Sequence, residues 1–142
     1  MAITQIKYRS GNYKYRLEDA YSVYVGLLPK GNIKTDFIHL SRSGGLVIKE
    51  GYAWDGPSGP SRDTNNFMRG SLVHDALYQL MRSKPNELPR STWRKQADVE
   101  LRRICREDGM SRFRAWYVYR SLRLFGRSAT DPGNRSPVLT AP

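Results

Sequence analysis

The stretch 66-NFMRGSLVHDALYQLMR-82 marks the point at which the chain changes from strand-like to helical patterning. Its apolar residues recur every three or four positions, which is the spacing of one face of an α-helix. The pattern predicts a helix over about 66–82, with Asn65 as its N-cap. The residues predicted to form the buried stripe are Val73, Leu77, Leu80 and Met81.

Two further helices follow in the sequence. The segment 84-KPNELP-89 interrupts the helical pattern, and Ser91 is predicted as the N-cap of a second helix that ends at 108-DG-109. A third helix is predicted over about 111–125. The residues predicted to face inward are Ala97, Leu101, Ile104 and Cys105 in the second helix and Phe113, Trp116, Tyr117 and Leu124 in the third.

The residues before these helices have the pattern of strands and turns. Alternating or β-branched segments lie between turns and predict an antiparallel meander of about four strands. The predicted strands are 13–17, 22–25, 36–40 and 46–48. Residues 52–66 are rich in Gly, Pro, Ser and Asp, which excludes a helix or an inner strand and predicts a long, shaped loop. Long loops inside compact domains are more often functional than incidental.

Together these segments predict an α+β fold in a single domain over residues 1–126. Residues 1–51 are mainly strands, 52–66 form the loop, and 66–126 are helical. Residues 127–142 hold three prolines and few apolar side chains, so they are predicted to be a tail that is either disordered or docked on a neighbour. A chain of 142 residues has room for one such core.

The charge of the chain is strongly basic. Lys and Arg number 24 against 13 Asp and Glu, which gives a formal net charge of +11. Arg supplies 17 of the 24, and 14 of those lie between Arg62 and Arg135. This arginine-rich part of the chain has two interpretations. It binds nucleic acid, an anionic membrane or an acidic protein, or it is a well-solvated surface without a charged partner.

Composition also excludes several classes. The longest nearly apolar stretch, 20–28, is about half the ~20 residues that a membrane-spanning helix needs. The segment 1-MAITQIK-7 has no apolar signal core, so secretion by the usual route is not expected. The single cysteine, Cys105, excludes an internal disulfide and a cysteine-based zinc site, and it is predicted to be a buried helical thiol.

Polar residues interrupt the apolar stripes of the first two helices. His74 and Asp75 lie in the first, and Asp98 follows Ala97 in the second. If the two helices pack antiparallel, as their short connection permits, His74 and Asp98 face each other. A carboxylate held on one imidazole nitrogen fixes the tautomer and leaves the other nitrogen free to take a proton from water.

The neighbouring residue, Asp75, points elsewhere because it lies about 100° around the helix from His74. That direction is the one from which the long loop returns with Asp55 and the carbonyl of Gly56. Calcium takes six to eight oxygen ligands from carboxylates, carbonyls and water. Asp55, Asp75 and the Gly56 carbonyl are therefore predicted to form half of a calcium cage.

These residues carry a resemblance to a known family. The run 54-WDGPS-58, then 71-SLVHDALY-78, then 97-ADVEL-101 resembles the calcium loop, the His-Asp-x-x-Tyr helix and the second-helix Asp of the small phospholipase A2 enzymes of bacteria and fungi. It is also similar to an uncharacterised family of phage and prophage proteins with the same motif order and a closing Phe-Gly, here 125-FG-126. The resemblance covers roughly residues 52–126.

The resemblance implies a role for each matching residue. It makes His74 the general base, Asp98 the residue that orients it, and Tyr78 a support for Asp98. It makes Asp55 and Asp75 calcium ligands, together with the carbonyl of Gly56, and it implies that a calcium-side water attacks an ester. The secreted enzymes flank these motifs with half-cystines, whereas this chain has residues such as Ser71 and Ala97 at the matching places.

Each candidate residue also has a structural alternative. His74 and Asp98 can form a buried hydrogen bond that only holds two helices together, and Asp55 can cap its own turn. The remaining alternatives are an ion pair of Asp75 with Arg69 or Arg94, and a core position for Tyr78. His39 offers a second metal-binding imidazole, as in His-Asp phosphohydrolases, although it lies in a strand pattern.

The arginines of the third helix, which alternate with its aromatic residues, have two interpretations. Mixed Arg and aromatic side chains can bind single-stranded nucleic acid or phosphates. They are also typical of an amphipathic helix whose apolar side is core, which is the interpretation that we favour from the sequence.

From the sequence alone we therefore expect a calcium-dependent, phospholipase A2-like ester hydrolase of phage or prophage origin. It is expected in the cytoplasm of the bacterial host or on the virion, with an anionic lipid surface or a phage or host protein as its partner. The alternatives are a non-catalytic phage accessory or virion protein that acts by binding, and a basic nucleic-acid-binding protein.

Overall fold

A computed structural model describes residues 5–11, 14–56 and 64–132. The predictions for the loop residues 57–63 and for the tail residues 133–142 lie outside these ranges. The described residues form an α+β fold with seven short strands and three helices, as the sequence predicts. The strands are β1 (Tyr8–Gly11), β2 (Lys14–Leu17), β3 (Tyr21–Tyr24), β4 (Ile33–Lys34), β5 (Ile38–Leu40), β6 (Gly45–Ile48) and β7 (Ala53–Trp54), and the helices are α1 (Asn65–Ser83), α2 (Arg90–Glu107) and α3 (Arg112–Phe125).

The strands form two antiparallel sheets, so the predicted single meander of four strands is wrong. One sheet has the order β1-β2-β7 and the other β3-β6-β5-β4. Strand β2 belongs to the first sheet because its last residue, Leu17, pairs with the segment before β7. The Leu17 amide donates to the Tyr52 carbonyl at 2.8 Å, and the Gly51 amide donates to the Leu17 carbonyl at 2.7 Å. Strands β1, β4 and β7 were not predicted.

Aromatic packing joins the smaller sheet to the helices. The rings of Tyr8 and Tyr15 meet edge to face with their centroids 5.3 Å apart, and Tyr15 lies 5.6 Å from Trp54. The buried Trp54 indole then donates to the Ser71 hydroxyl on α1 at 3.1 Å. This sheet therefore fixes the position of β7, after which Asp55 and Gly56 follow.

Helices α1 and α2 pack against each other and bury their predicted stripes. Helix α1 is the central element of the fold, since 13 of its 19 residues are buried. The N-caps of α1 and α2 are Thr64 and Pro89, so the predicted N-caps Asn65 and Ser91 are wrong and both lie inside the first turn of their helices. The predicted stripe residues of both helices are all buried, and they are Val73, Leu77, Leu80 and Met81 in α1 and Ala97, Leu101, Ile104 and Cys105 in α2.

Helix α3 packs in the opposite orientation to the one predicted. Its four predicted core residues are exposed: Phe113 by 75%, Trp116 by 52%, Tyr117 by 47% and Leu124 by 65%. The side that packs on the core carries the smaller residues Ala115 and Val118, which lie in a cluster with residues of α1 and α2. The interpretation of the α3 aromatics as core is therefore wrong.

The first residues of the predicted tail pack on the helices. Residues Arg127–Thr130 form a short 3₁₀ turn in which Thr130 is fully buried. The Arg82 guanidinium of α1 donates to the Ala129 carbonyl at 2.5 Å. Among the described residues, no helix has the length and apolar character needed to cross a membrane.

Candidate functional site

The packing of α1 on α2 brings His74 and Asp98 together. The Nε2 atom of His74 lies 2.7 Å from Oδ1 of Asp98, which is hydrogen-bonding distance. Each residue lies inside a regular helix whose apolar stripe is buried, so the pair is held by two rigid elements. The sequence predicted this contact from the polar residues that interrupt both stripes.

Asp98 is fully enclosed, and both of its oxygens accept further hydrogen bonds. The Tyr78 hydroxyl donates to Oδ1 at 2.5 Å, and the Arg123 guanidinium of α3 donates to Oδ2 at 2.9 Å. Burial alone raises the pKa of Asp98, but the hydrogen bonds from His74, Tyr78 and Arg123 outweigh burial and place the pKa below its usual value. Asp98 is therefore an ionised carboxylate at neutral pH.

The ionised state of Asp98 determines the tautomer of His74. A carboxylate only accepts hydrogen bonds, so Nε2 of His74 carries the proton and Nδ1 keeps its lone pair when the ring is neutral. No hydrogen bond to Nδ1 is formed within the described part of the chain. The ring stacks against Tyr78 with the centroids 4.0 Å apart, and 9% of the His74 side chain is exposed. His74 thus has one nitrogen anchored and one available as a base.

Arg123 and Arg94 are site residues that the sequence did not predict. Arg94 of α2 donates to the Leu122 carbonyl at 2.5 Å and to the Arg123 carbonyl at 3.2 Å, so it holds the last turn of α3. That contact places Arg123 on Asp98. The one available signal was the buried carboxylate itself, because a buried charge needs a partner of opposite charge.

The alternative ion pairs of Asp75 are wrong. Arg69 instead binds Asp108 and Glu107 at the end of α2, and Arg94 binds backbone carbonyls. Asp75 is partly buried, and the Tyr52 hydroxyl lies 3.4 Å from its Oδ2 atom. The same hydroxyl donates to Gln79 Oε1 at 3.0 Å.

The electrostatics of Asp75 differ from those of Asp98. Burial raises the pKa of Asp75, the carboxylate of Asp55 adds to the rise, and Arg82 and His74 oppose it. Burial also raises the pKa of Tyr52 well above its usual value, with Asp75 and Asp55 contributing. Asp75 and Asp55 are therefore close enough for their negative charges to act on each other, and a cation between them would relieve this repulsion.

The residues predicted as metal ligands offer oxygen atoms, which are the donors that a hard cation prefers. Asp55 is exposed at the end of β7, and Gly56 follows with a φ of +79°. A Cβ at Gly56 would lie 2.5 Å from the Tyr15 ring, so only glycine fits there. Within the ranges that the structure describes, no group of three or more His, Cys, Asp or Glu side chains could hold a metal ion. Two carboxylates and a carbonyl are still the oxygen donors that calcium prefers.

His39 lies in β5, paired with Lys34 of β4 and Val47 of β6. Burial, Lys49 and Lys34 lower its pKa, and His74 is not among the groups that act on it. The predicted alternative of a metal site shared between these two imidazoles therefore has no support from the geometry.

Comparisons of the chain with models of protein families, with curated proteins and with solved structures find no match.

Proposed function

We propose that the protein is a calcium-dependent, phospholipase A2-like ester hydrolase of a phage or prophage. The observation that carries the proposal is the anchored imidazole: Nε2 of His74 is bound to a buried, ionised Asp98, and Nδ1 has no partner in the described chain. A histidine that only filled space between helices would not need an enclosed carboxylate with two further hydrogen-bond donors.

In this proposal each residue has a separate task. His74 takes a proton from the attacking water at Nδ1 and returns it to the leaving alcohol. Asp98 holds the ring and stabilises the imidazolium that forms. Tyr78 and Arg123 hold Asp98 by one bond to each of its oxygens, so the carboxylate cannot rotate away from His74.

Asp55 and Asp75, with the Gly56 carbonyl, are the residues that would hold calcium. When bound, the cation would polarise the ester carbonyl and stabilise its developing negative charge. Support comes from the electrostatics, since the exposed Asp55 carboxylate adds to the rise in the pKa of the partly buried Asp75. A proton on Asp75 competes with the cation, so calcium affinity should weaken as the pH falls through the raised pKa of Asp75.

The direct test is hydrolysis of a fluorogenic phospholipid by the wild type with calcium and with a calcium chelator. We expect product release in calcium and a background rate in the chelator. Magnesium serves as the matched control, because it demands a smaller and more regular coordination shell. A background rate under every condition would contradict the proposal.

A stability measurement tests the calcium site without reference to catalysis. The raised pKa of Asp75 means that its ionised form destabilises the folded protein above that pKa, and that this cost is relieved as the pH falls through it. Asp75→Asn should therefore unfold at an equal or higher temperature than the wild type in chelator. Calcium should raise the unfolding temperature of the wild type, since it binds the folded state, and leave the variant unchanged.

Asp36→Asn is the matched control, because Asp36 is an exposed carboxylate in the turn before β5. It should keep the full calcium response. A calcium response that survives in Asp75→Asn, or is absent from the wild type, would contradict the assignment of this residue as a ligand.

A further inference from the structure

Helix α3 is apolar on two opposite sides. Ala115 and Val118 pack on the core, while Phe113, Trp116, Tyr117 and Leu124 point away from it. We call these four residues the outer face of α3. They recur at helical spacing and so form one stripe. An exposed apolar stripe of this kind marks a surface that another body covers.

A basic groove adjoins the outer face. It lies between α2 and α3, has a volume of about 340 Å³, and shares Trp116 with the stripe. Four arginines line it, namely Arg102, Arg103, Arg106 and Arg112, and none of the described residues that line it carries a carboxylate. Arg103 is paired with Glu100 and Glu107.

The other three groove arginines are available to an anion. Arg102 stacks on the Tyr119 ring at 4.3 Å, which presents its guanidinium without neutralising it. Arg106 donates to the Met110 carbonyl. Among the described residues, Arg102, Arg106 and Arg112 form no ion pair with a carboxylate. The surface therefore combines apolar side chains with cations that lack a counter-charge.

We propose that the outer face of α3 and the adjoining groove dock on an anionic phospholipid surface. Phe113, Trp116 and Leu124 enter the boundary between headgroups and acyl chains, and the guanidinium groups bind lipid phosphates. The assignment of this surface as the docking site of an enzyme rests on the proposed function. Helix α3 also contacts the catalytic pair, because Arg123 binds Asp98.

Charge and side-chain chemistry favour this occupant over two others. A symmetric dimer through the same face would bring each arginine groove close to its own copy, in a chain of net charge +11. Single-stranded nucleic acid would use the arginines and the aromatic rings, but aliphatic Leu124, exposed by 65%, offers it neither stacking nor a hydrogen bond.

The test is co-sedimentation of the wild type with vesicles of phosphatidylglycerol or of phosphatidylcholine, in a calcium chelator so that binding is measured without hydrolysis. We expect phosphatidylglycerol vesicles to bind at least roughly 10-fold more tightly than phosphatidylcholine vesicles. Trp116 fluorescence should shift to the blue on binding, and Trp116→Phe should remove that shift, because Trp54 is already buried and Trp93 packs against the core.

Matched variants locate the surface. Leu124→Ser should weaken vesicle binding roughly 10-fold, while Leu28→Ser should not, although Leu28 is exposed by 54%. Arg112→Gln should weaken binding more than Arg42→Gln, which removes an exposed charge next to β5.

Equal losses in Leu124→Ser and Leu28→Ser, or no preference for the anionic vesicles, would overturn the proposal. So would a dimer that Leu124→Ser dissociates, or tighter binding to a single-stranded oligonucleotide that Leu124→Ser abolishes. Vesicle binding by a protein that hydrolyses no phospholipid would support the docking surface and contradict only the proposed enzyme.

Discussion

Asp98→Ala is expected to lower the free energy of unfolding by about 3–5 kcal/mol, as is usual when one partner of a buried ion pair is removed. The variant leaves His74, Tyr78 and Arg123 without their shared acceptor in a site where Asp98 is 0% exposed. Urea unfolding at neutral pH measures the loss. A loss below about 1 kcal/mol would contradict the network, because single unpaired buried groups already cost that much.

A second variant shows whether Arg123 carries part of this cost. Asp98→Ala combined with Arg123→Met should lose less stability than the sum of the two single changes, since the double variant no longer leaves the Arg123 cation near an empty acceptor position. Additive losses would mean that the two side chains act independently.

The loss should also depend on pH in a defined direction. The pKa of Asp98 is lower in the folded protein than its usual value, so its contribution to stability is complete above about pH 4. It is lost as the pH falls further, through the folded-state pKa. The difference between the wild type and Asp98→Ala should therefore shrink below about pH 4. A difference that stays constant into acid would contradict the lowered pKa.

Arg69→Met is expected to destabilise the protein by about 3–5 kcal/mol, also through a broken buried network. Arg69 is 3% exposed and binds Asp108 with two nitrogens, at 2.9 and 3.0 Å. Its third nitrogen donates to the buried Tyr21 hydroxyl at 2.9 Å. Helix α1 is thereby tied to the end of α2 and to strand β3, in a chain that has no disulfide to do so.

The matched control is Arg9→Met, which removes a pair of similar geometry at the surface. Arg9 donates to both oxygens of Glu18 at 2.8 and 2.9 Å, but both side chains are exposed. Its unfolding midpoint in urea should stay close to that of the wild type, because water screens such pairs. Equal destabilisation by the two variants would show that burial is not what makes the Arg69 network important.

The sequence was sufficient to predict α1, α2 and the pair between them. Both helices have a long apolar stripe of helical period, and His74 and Asp98 interrupt those stripes. A short connection then allows little choice but antiparallel packing, which places the two polar residues opposite each other. Local pattern and tertiary packing agree here, which explains the agreement between prediction and structure.

Helix α3 shows why the rest could not be predicted. Its larger apolar residues, such as Phe113 and Leu124, suggest a core face, but the face that packs has Ala115 and Val118. Periodicity identifies an apolar stripe without stating what covers it, and α3 has two such stripes. The position of Arg123 depends on this orientation, so its hydrogen bond to Asp98 could not be predicted from the sequence either.

The sequence predicted antiparallel strands, but it did not predict which strands pair with each other. Strands β4 and β7 have two residues each, which is too short for a period of two to be recognised. The partner of β2 is set by backbone bonds from Leu17 to residues 51 and 52, far along the chain. Contacts at such sequence separation leave no local signal.

The most direct measurement is the initial rate of phospholipid hydrolysis in calcium by the wild type, His74→Ala and His39→Ala. These variants remove the two histidines of the chain one at a time. If Nδ1 of His74 activates the attacking water, His74→Ala should lower the rate about 10²–10⁴-fold, as expected for the loss of a general base. His39→Ala should hydrolyse at nearly the wild-type rate. Equal rates in the wild type and in His74→Ala would contradict a catalytic role for the pair and leave it a structural contact between α1 and α2.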